Sequence, residues 1–137
     1  MTPAFHEPQR HLDLPDDVSA AGRARDATYR FLHGVADRRI PVLPAAADAA
    51  ALVVTELVTN AVRHTEGPCS LDLALHEGLL DIDVTDTSSA PPVPRPPHLN
   101  GSGGWGWILV RHIAREVSVV PTSTGGKRVH MCIPVDG

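Results

Sequence analysis

Between Cys69 and Thr85 apolar and polar positions alternate. Leu71, Leu73 and Leu75 are separated by Asp72 and Ala74, and Leu80, Ile82 and Val84 by Asp81 and Asp83. A period of two belongs to strands with one dry face and one wetter face. The pattern predicts strands over Cys69–His76 and Leu79–Thr85, joined at Glu77-Gly78 as a hairpin. A weaker alternation over Phe5–Leu14 predicts an edge strand ended by Pro15, its beginning running into a flexible start at residues 1–10. Upstream of the hairpin the period lengthens. Ala24, Ala27, Phe31, Leu32 and Val35 form the inward stripe of a helix that Asp16, Asp17 or Ser19 can cap and that runs to about Ala36. Ala45 to His64 predicts the strongest helix, with six alanines of high helix propensity leading into LVVTELVTNAVRH. It is apolar almost all round, the mark of a helix covered on more than one side.

Beyond the hairpin, Thr87–Gly103 reads as a loop. Five of the seven residues Pro91–Pro97 are proline, and Asn100-Gly101-Ser102-Gly103-Gly104 follows. A stiff arm ending in a glycine hinge suggests a lid, here placed at 87–103. A third helix is expected from near Trp105–Ile108 to about Glu116. Strands Val117–Pro121 and Lys127–Val135 then close the chain, with Gly125-Gly126 at their turn. The order gives an α/β (α+β) fold: a two-layer sandwich of a mostly antiparallel mixed sheet with helices on one face.

Composition narrows the function classes. The 137 residues make one domain, spanning 1–137. Their net charge of −4 argues against nucleic acid, whose binders need a basic face, and against an anionic membrane surface. No run of apolar residues approaches the roughly 20 of a membrane span. The start MTPAFHEPQR lacks the apolar middle of a signal peptide, which places the chain in the cytoplasm. Cys69 and Cys132 have no metal spacing and read as small apolar residues on strands. The eight histidines are scattered and lack the spacing of a zinc helix.

Three groups of residues can carry chemistry. Glu56, Asn60 and His64, or its neighbour Arg63, are one helical turn apart and share a face. A carboxylate, an amide, a cation and an imidazole on an apolar helix are costly to bury without a ligand, although a solvent-facing stripe has the same spacing. Asp86 ends a strand with an apolar interior. It can accept a hydrogen bond from an exocyclic amine such as adenine's, or serve as a turn aspartate. Gly101-Ser102-Gly103-Gly104-Trp105-Gly106-Trp107 opens a helix, where backbone N–H groups can approach a phosphate; a flexible linker has the same composition.

In this order the three groups resemble the ATP-binding domain of the GHKL superfamily (gyrase, Hsp90, histidine kinase, MutL), and within it the small bacterial anti-sigma-factor serine/threonine kinases. The resemblance runs from about Leu12 to Pro134. Glu56–His64 matches the motif E-L-x-x-N-A-x-x-H, Asp86 matches the adenine-reading aspartate, and Gly104–Val110 matches G-x-G-L-x-L-V. Gly125-Gly126-Lys127 to Pro134 looks like the closing strand.

The resemblance implies the Bergerat-type fold with ATP and Mg²⁺ as cofactors. It implies that Asn60 holds Mg²⁺ and that Glu56 is the general base or orients the attacking hydroxyl. Arg63 and His64 would lie near the phosphates, Asp86 would read the adenine amine, and Gly104 and Gly106 would let the lid fold over the triphosphate with Trp107 as apolar cover. The implied function is transfer of the γ-phosphoryl to a Ser or Thr of an antagonist protein together with sequestration of a sigma factor, with a homodimer also open. A nucleotide-gated protein-binding module without kinase activity is the alternative. Ser88 and Ala90 stand where the family has glycines, Trp105 where many relatives have arginine, Trp107 where they have leucine, and Lys127 where a threonine near the adenine is often found.

Overall fold

The computed structural model describes residues 7–64, 67–88, 112 and 114–137, the side chain of His64 excepted. Two helices lie on a five-stranded sheet. In chain order the elements are β1 (Gln9–Leu14), α1 (Ala20–Asp37), α2 (Pro44–His64), β2 (Cys69–His76), β3 (Leu79–Asp86), β4 (Glu116–Pro121) and β5 (Lys127–Pro134). The sheet order is β1-β2-β3-β5-β4, and every described pairing is antiparallel, in keeping with the mostly antiparallel sheet expected.

The alternation read from the sequence is what the sheet uses. Leu71, Leu73, Leu75, Leu80, Ile82 and Val84 are buried with Val129, Met131 and Ile133 of β5 against the helices. Side chains of this size contribute about 1.5–3 kcal/mol each when fully buried. Glu77 and Gly78 both take positive φ, 50° and 77°, which is the two-residue hairpin turn whose twist matches the strands.

α1 buries Ala20, Ala24, Thr28, Leu32 and Val35. Thr28 replaces Ala27 and Phe31 of the expected stripe among the fully buried positions, its hydroxyl donating to the Ala24 carbonyl at 2.8 Å. Ser19 occupies the cap position but caps nothing with its side chain. Asp17 instead accepts from the Ser19 amide and hydroxyl at 2.8 and 2.5 Å. α2 packs under α1 and over β2, β3 and β5, and this explains its lack of a polar face. Its stretch Pro44–Arg63 is long and apolar enough to cross a membrane by length and composition, which corrects the reading that no run comes near that length. Cover from α1 on one side and the sheet on the other makes it the core helix.

The ends differ by a few residues from expectation. Gln9 and Arg10 pair with Ala74 and Leu73 in β1, so the ordered strand reaches into the segment expected to be flexible. Glu116 pairs with Cys132 and opens β4 instead of ending the third helix, because Val117, Val119 and Val120 favour pairing over helix. Ala114 and Arg115, also expected in that helix, lie outside any helix, and His112 is helical; residues 105–111 and 113, and the proposed lid from Ser89 to Gly103, fall outside the described residues.

Candidate functional site

The C-terminal half of α2 presents two polar side chains toward the interior. Glu56 is 7% exposed and Asn60 8%, one helical turn apart among Val53, Leu57 and Val58. That burial separates them from Arg63, which is exposed, and removes the solvent-facing stripe as an account of Glu56 and Asn60. A carboxylate and an amide oxygen are hard donors of the type Mg²⁺ takes.

The second part of the site is the end of β3. Asp86 is its last residue and is 5% exposed. Directly across the ladder stands Lys127, the first residue of β5, 6% exposed. The Lys127 ammonium donates to Asp86 Oδ2 at 2.8 Å and to the Ser88 carbonyl at 3.5 Å. The Ser88 amide donates to Asp86 Oδ1 at 2.9 Å, an Asx turn that makes Asp86 a turn aspartate as well as an interior carboxylate. A pair this deep can persist only because each charge neutralises the other.

Gly126 is needed for this approach. A Cβ there would lie 2.0 Å from the Asp86 carbonyl oxygen. The Gly126 amide is held by the Thr122 hydroxyl at 3.0 Å, which fixes the turn into β5. At the same end of the sheet, the Cys69 thiol is pushed up to about 11, by burial first and by the Asp86 charge next. Cys132, on β5, is likewise pushed up to about 11 by burial, with Asp81 adding to it. Both cysteines are free and buried, as small strand residues should be.

The structure thus places Glu56 and Asn60 on one buried helix face, Asp86 at a strand end, and Arg63 in solvent. Gly104, Gly106, Trp107 and the side chain of His64 lie outside the described residues. The ion pair of Lys127 with Asp86 is the site feature that motif spacing did not select. Its signal was present all the same: a cation opening a strand directly after Gly125-Gly126, where apolar alternation resumes only at Val129. A groove of about 850 Å³ between β1 and α1, edged by Arg10, Arg23, Arg30 and Arg38, shares no lining residue with this site.

Comparison with known proteins bears on the family and the fold. The histidine kinase-like ATPase domain family matches residues 18–133, a span that takes in both helices, Asp86 and nearly all of β5. No curated protein sequence matches the chain. Among solved structures, the fold is similar to the RsbU and RsbW domains of Rv1364c from Mycobacterium tuberculosis. The TM-score is 0.64 at 19% identity, over 93% of this chain and 33% of that one. The chain therefore spans about a third of that protein's length, and at this identity the likeness is one of fold. With the family matched over most of its length, the chain belongs to the histidine kinase-like ATPase domains.

Proposed function

We propose that this domain is an ATP-dependent serine/threonine kinase of the anti-sigma-factor type, acting in the cytoplasm on a small antagonist protein and sequestering a sigma factor. The observation that carries the reading is the buried pair Glu56 and Asn60, one turn apart on α2 in a histidine kinase-like ATPase domain. Asn60 would hold Mg²⁺ through its amide oxygen, and Asp86 would accept from the adenine amine. Bound Mg²⁺–ATP supplies the phosphoryl group and neutralises charge developing on it.

Glu56 is the proton acceptor in this reading. As the hydroxyl oxygen of the antagonist's Ser or Thr bonds to the γ-phosphorus, the bond from that phosphorus to the β,γ-bridging oxygen breaks and ADP leaves. The hydroxyl proton passes to the Glu56 carboxylate, or is held by it in the direction of attack. Arg63 at the exposed end of α2, with His64 beside it, is positioned in sequence to meet the phosphates or the partner.

A second reading is a nucleotide-gated binding module that transfers nothing. It is favoured by one feature: the lid departs from the family pattern, with Ser88 and Ala90 in place of glycines and prolines directly after them.

The two readings separate at Glu56. Glu56→Ala should bind ATP and a sigma factor as the wild type does, yet label a candidate antagonist at least about 10²-fold more slowly, the usual worth of a positioned acid–base group. Calorimetry for binding and transfer of labelled phosphate for activity check this. A wild type that binds Mg²⁺–ATP and its partner but labels no antagonist selects the module, and one that binds no ATP removes both readings.

A further inference from the structure

Lys127 has more hydrogen-bonding capacity than its surroundings use. An ammonium carries three N–H donors. One meets Asp86 Oδ2 at 2.8 Å and a second reaches the Ser88 carbonyl at 3.5 Å, the outer limit of a hydrogen bond. The third has no acceptor among the described residues. Polar groups buried to this degree are nearly always paired, so an unused donor on a side chain about nine-tenths buried points to something that binds there. Asp86 has capacity left as well. A carboxylate offers about four lone-pair positions, and two are taken, by Lys127 and the Ser88 amide.

We infer that Lys127 is a base-reading residue of the nucleotide site: its ammonium donates to N1 of an adenine whose exocyclic amine is accepted by Asp86. The inference rests on the placement of adenine at Asp86 made under the proposed function. Its chemical basis is complementarity. Across the first rung of the β3–β5 ladder the protein presents an acceptor and a donor side by side, fixed to each other by their own ion pair. The Watson–Crick edge of adenine presents an amine donor next to the N1 acceptor. Guanine reverses both, with a carbonyl oxygen and an N1–H, and would turn like against like at each position. A site built to hydrogen-bond a substrate group also rejects the analogue that lacks it. Lys127 would therefore sharpen adenine selection beyond what a lone carboxylate provides, and would be a specificity residue rather than only a partner that keeps Asp86 neutralised.

The alternative is an ion pair that merely holds β3 to β5. Removing Lys127 would then weaken every nucleotide equally, whatever its base. Affinities of wild type, Lys127→Met and Lys127→Thr for ATP, 1-deaza-ATP and 7-deaza-ATP, measured by calorimetry with Mg²⁺, distinguish the two. Wild type should bind 1-deaza-ATP at least tenfold more weakly than ATP and 7-deaza-ATP about as well as ATP. In Lys127→Met the ATP/1-deaza-ATP ratio should fall to about one. Equal wild-type affinity for ATP and 1-deaza-ATP overturns the inference, as does a loss confined to 7-deaza-ATP, or a ratio unchanged in both variants. Should neither variant fold by circular dichroism, the wild-type comparison decides alone. A wild type that binds ATP without sensing N1 overturns only the role of Lys127, whereas one that binds no nucleotide overturns the proposed function along with it.

Discussion

Asp86 and Lys127 illustrate how unequal the consequences of breaking and replacing a buried pair are. Their side chains are 3% and 7% exposed, so neither charge can recover its hydration if the other is removed. Deleting one partner of such a pair typically costs about 3–5 kcal/mol, while replacing both with apolar groups of similar volume is often neutral. Asp86→Leu alone should therefore lower the unfolding free energy by about that amount, leaving the ammonium without its carboxylate. Asp86→Leu/Lys127→Met should recover most of it. Urea denaturation of the two single variants, the double variant and the wild type completes the cycle, and additive losses in the double variant would show that the two charges are not coupled. The cycle also bears on nucleotide binding. A weak ATP affinity in Asp86→Leu reports on adenine recognition only when read beside the double variant, in which the fold is restored but the acceptor is still missing.

The β2–β3 hairpin shows which elements are local enough to read from a linear chain. Its turn requires φ of 50° at Glu77 and 77° at Gly78, and a Cβ on Gly78 would also press on the Asp136 carboxylate. The Gly78 carbonyl accepts from the Val135 amide at 2.9 Å, which ties the turn to the end of β5. Gly78→Ala should cost about 1–2 kcal/mol, the penalty for an L residue in the left-handed region. A thermal melt of this variant within a degree of wild type would show that the turn relaxes. Such a hairpin, like the helix Pro44–His64, was legible because alternation, turn residues and helix propensity all act within a few positions. Thr28 was not, because its hydroxyl satisfies itself on the Ala24 carbonyl and lets a polar residue join the core. The site was half legible for the same reason. Glu56 and Asn60 are four residues apart on one helix, and their spacing announces a shared face. Asp86 and Lys127 are separated by 41 positions. Their meeting depends on β5 lying against β3 with β4 outside it, a strand order that no local period encodes.

At the scale of the whole molecule, the two thiols sit in parts of the sheet that should open to different degrees. Cys69 begins β2 in the interior of the sheet, between β1 and β3, and belongs to the cluster under α2. Cys132 lies on β5 with only β4 beyond it, paired with Glu116 and bonded through its carbonyl to the Arg115 amide at 2.9 Å. β4 is an edge strand whose Val117 and Val119 are more than 40% exposed, so few buried contacts hold it. Cys132 should therefore become reactive when β4 alone peels away, whereas Cys69 needs the helices to leave the sheet, and local openings of edge elements cost less free energy than global ones. Labelling of the native protein with a thiol reagent should modify Cys132 first, and Cys69 at a rate that follows global unfolding as urea is added. The same burial gives a pH signature. A thiol raised from about 9 to about 11 stays neutral in the folded protein while the unfolded chain ionises, so its contribution to stability is intact below pH 9 and is lost between pH 9 and 11. Replacing both cysteines with alanine or valine should flatten the fall of unfolding free energy across that window. Equal labelling rates for Cys69 and Cys132 at every urea concentration would mean that β4 is as firmly held as the core, and that the sheet opens as one unit.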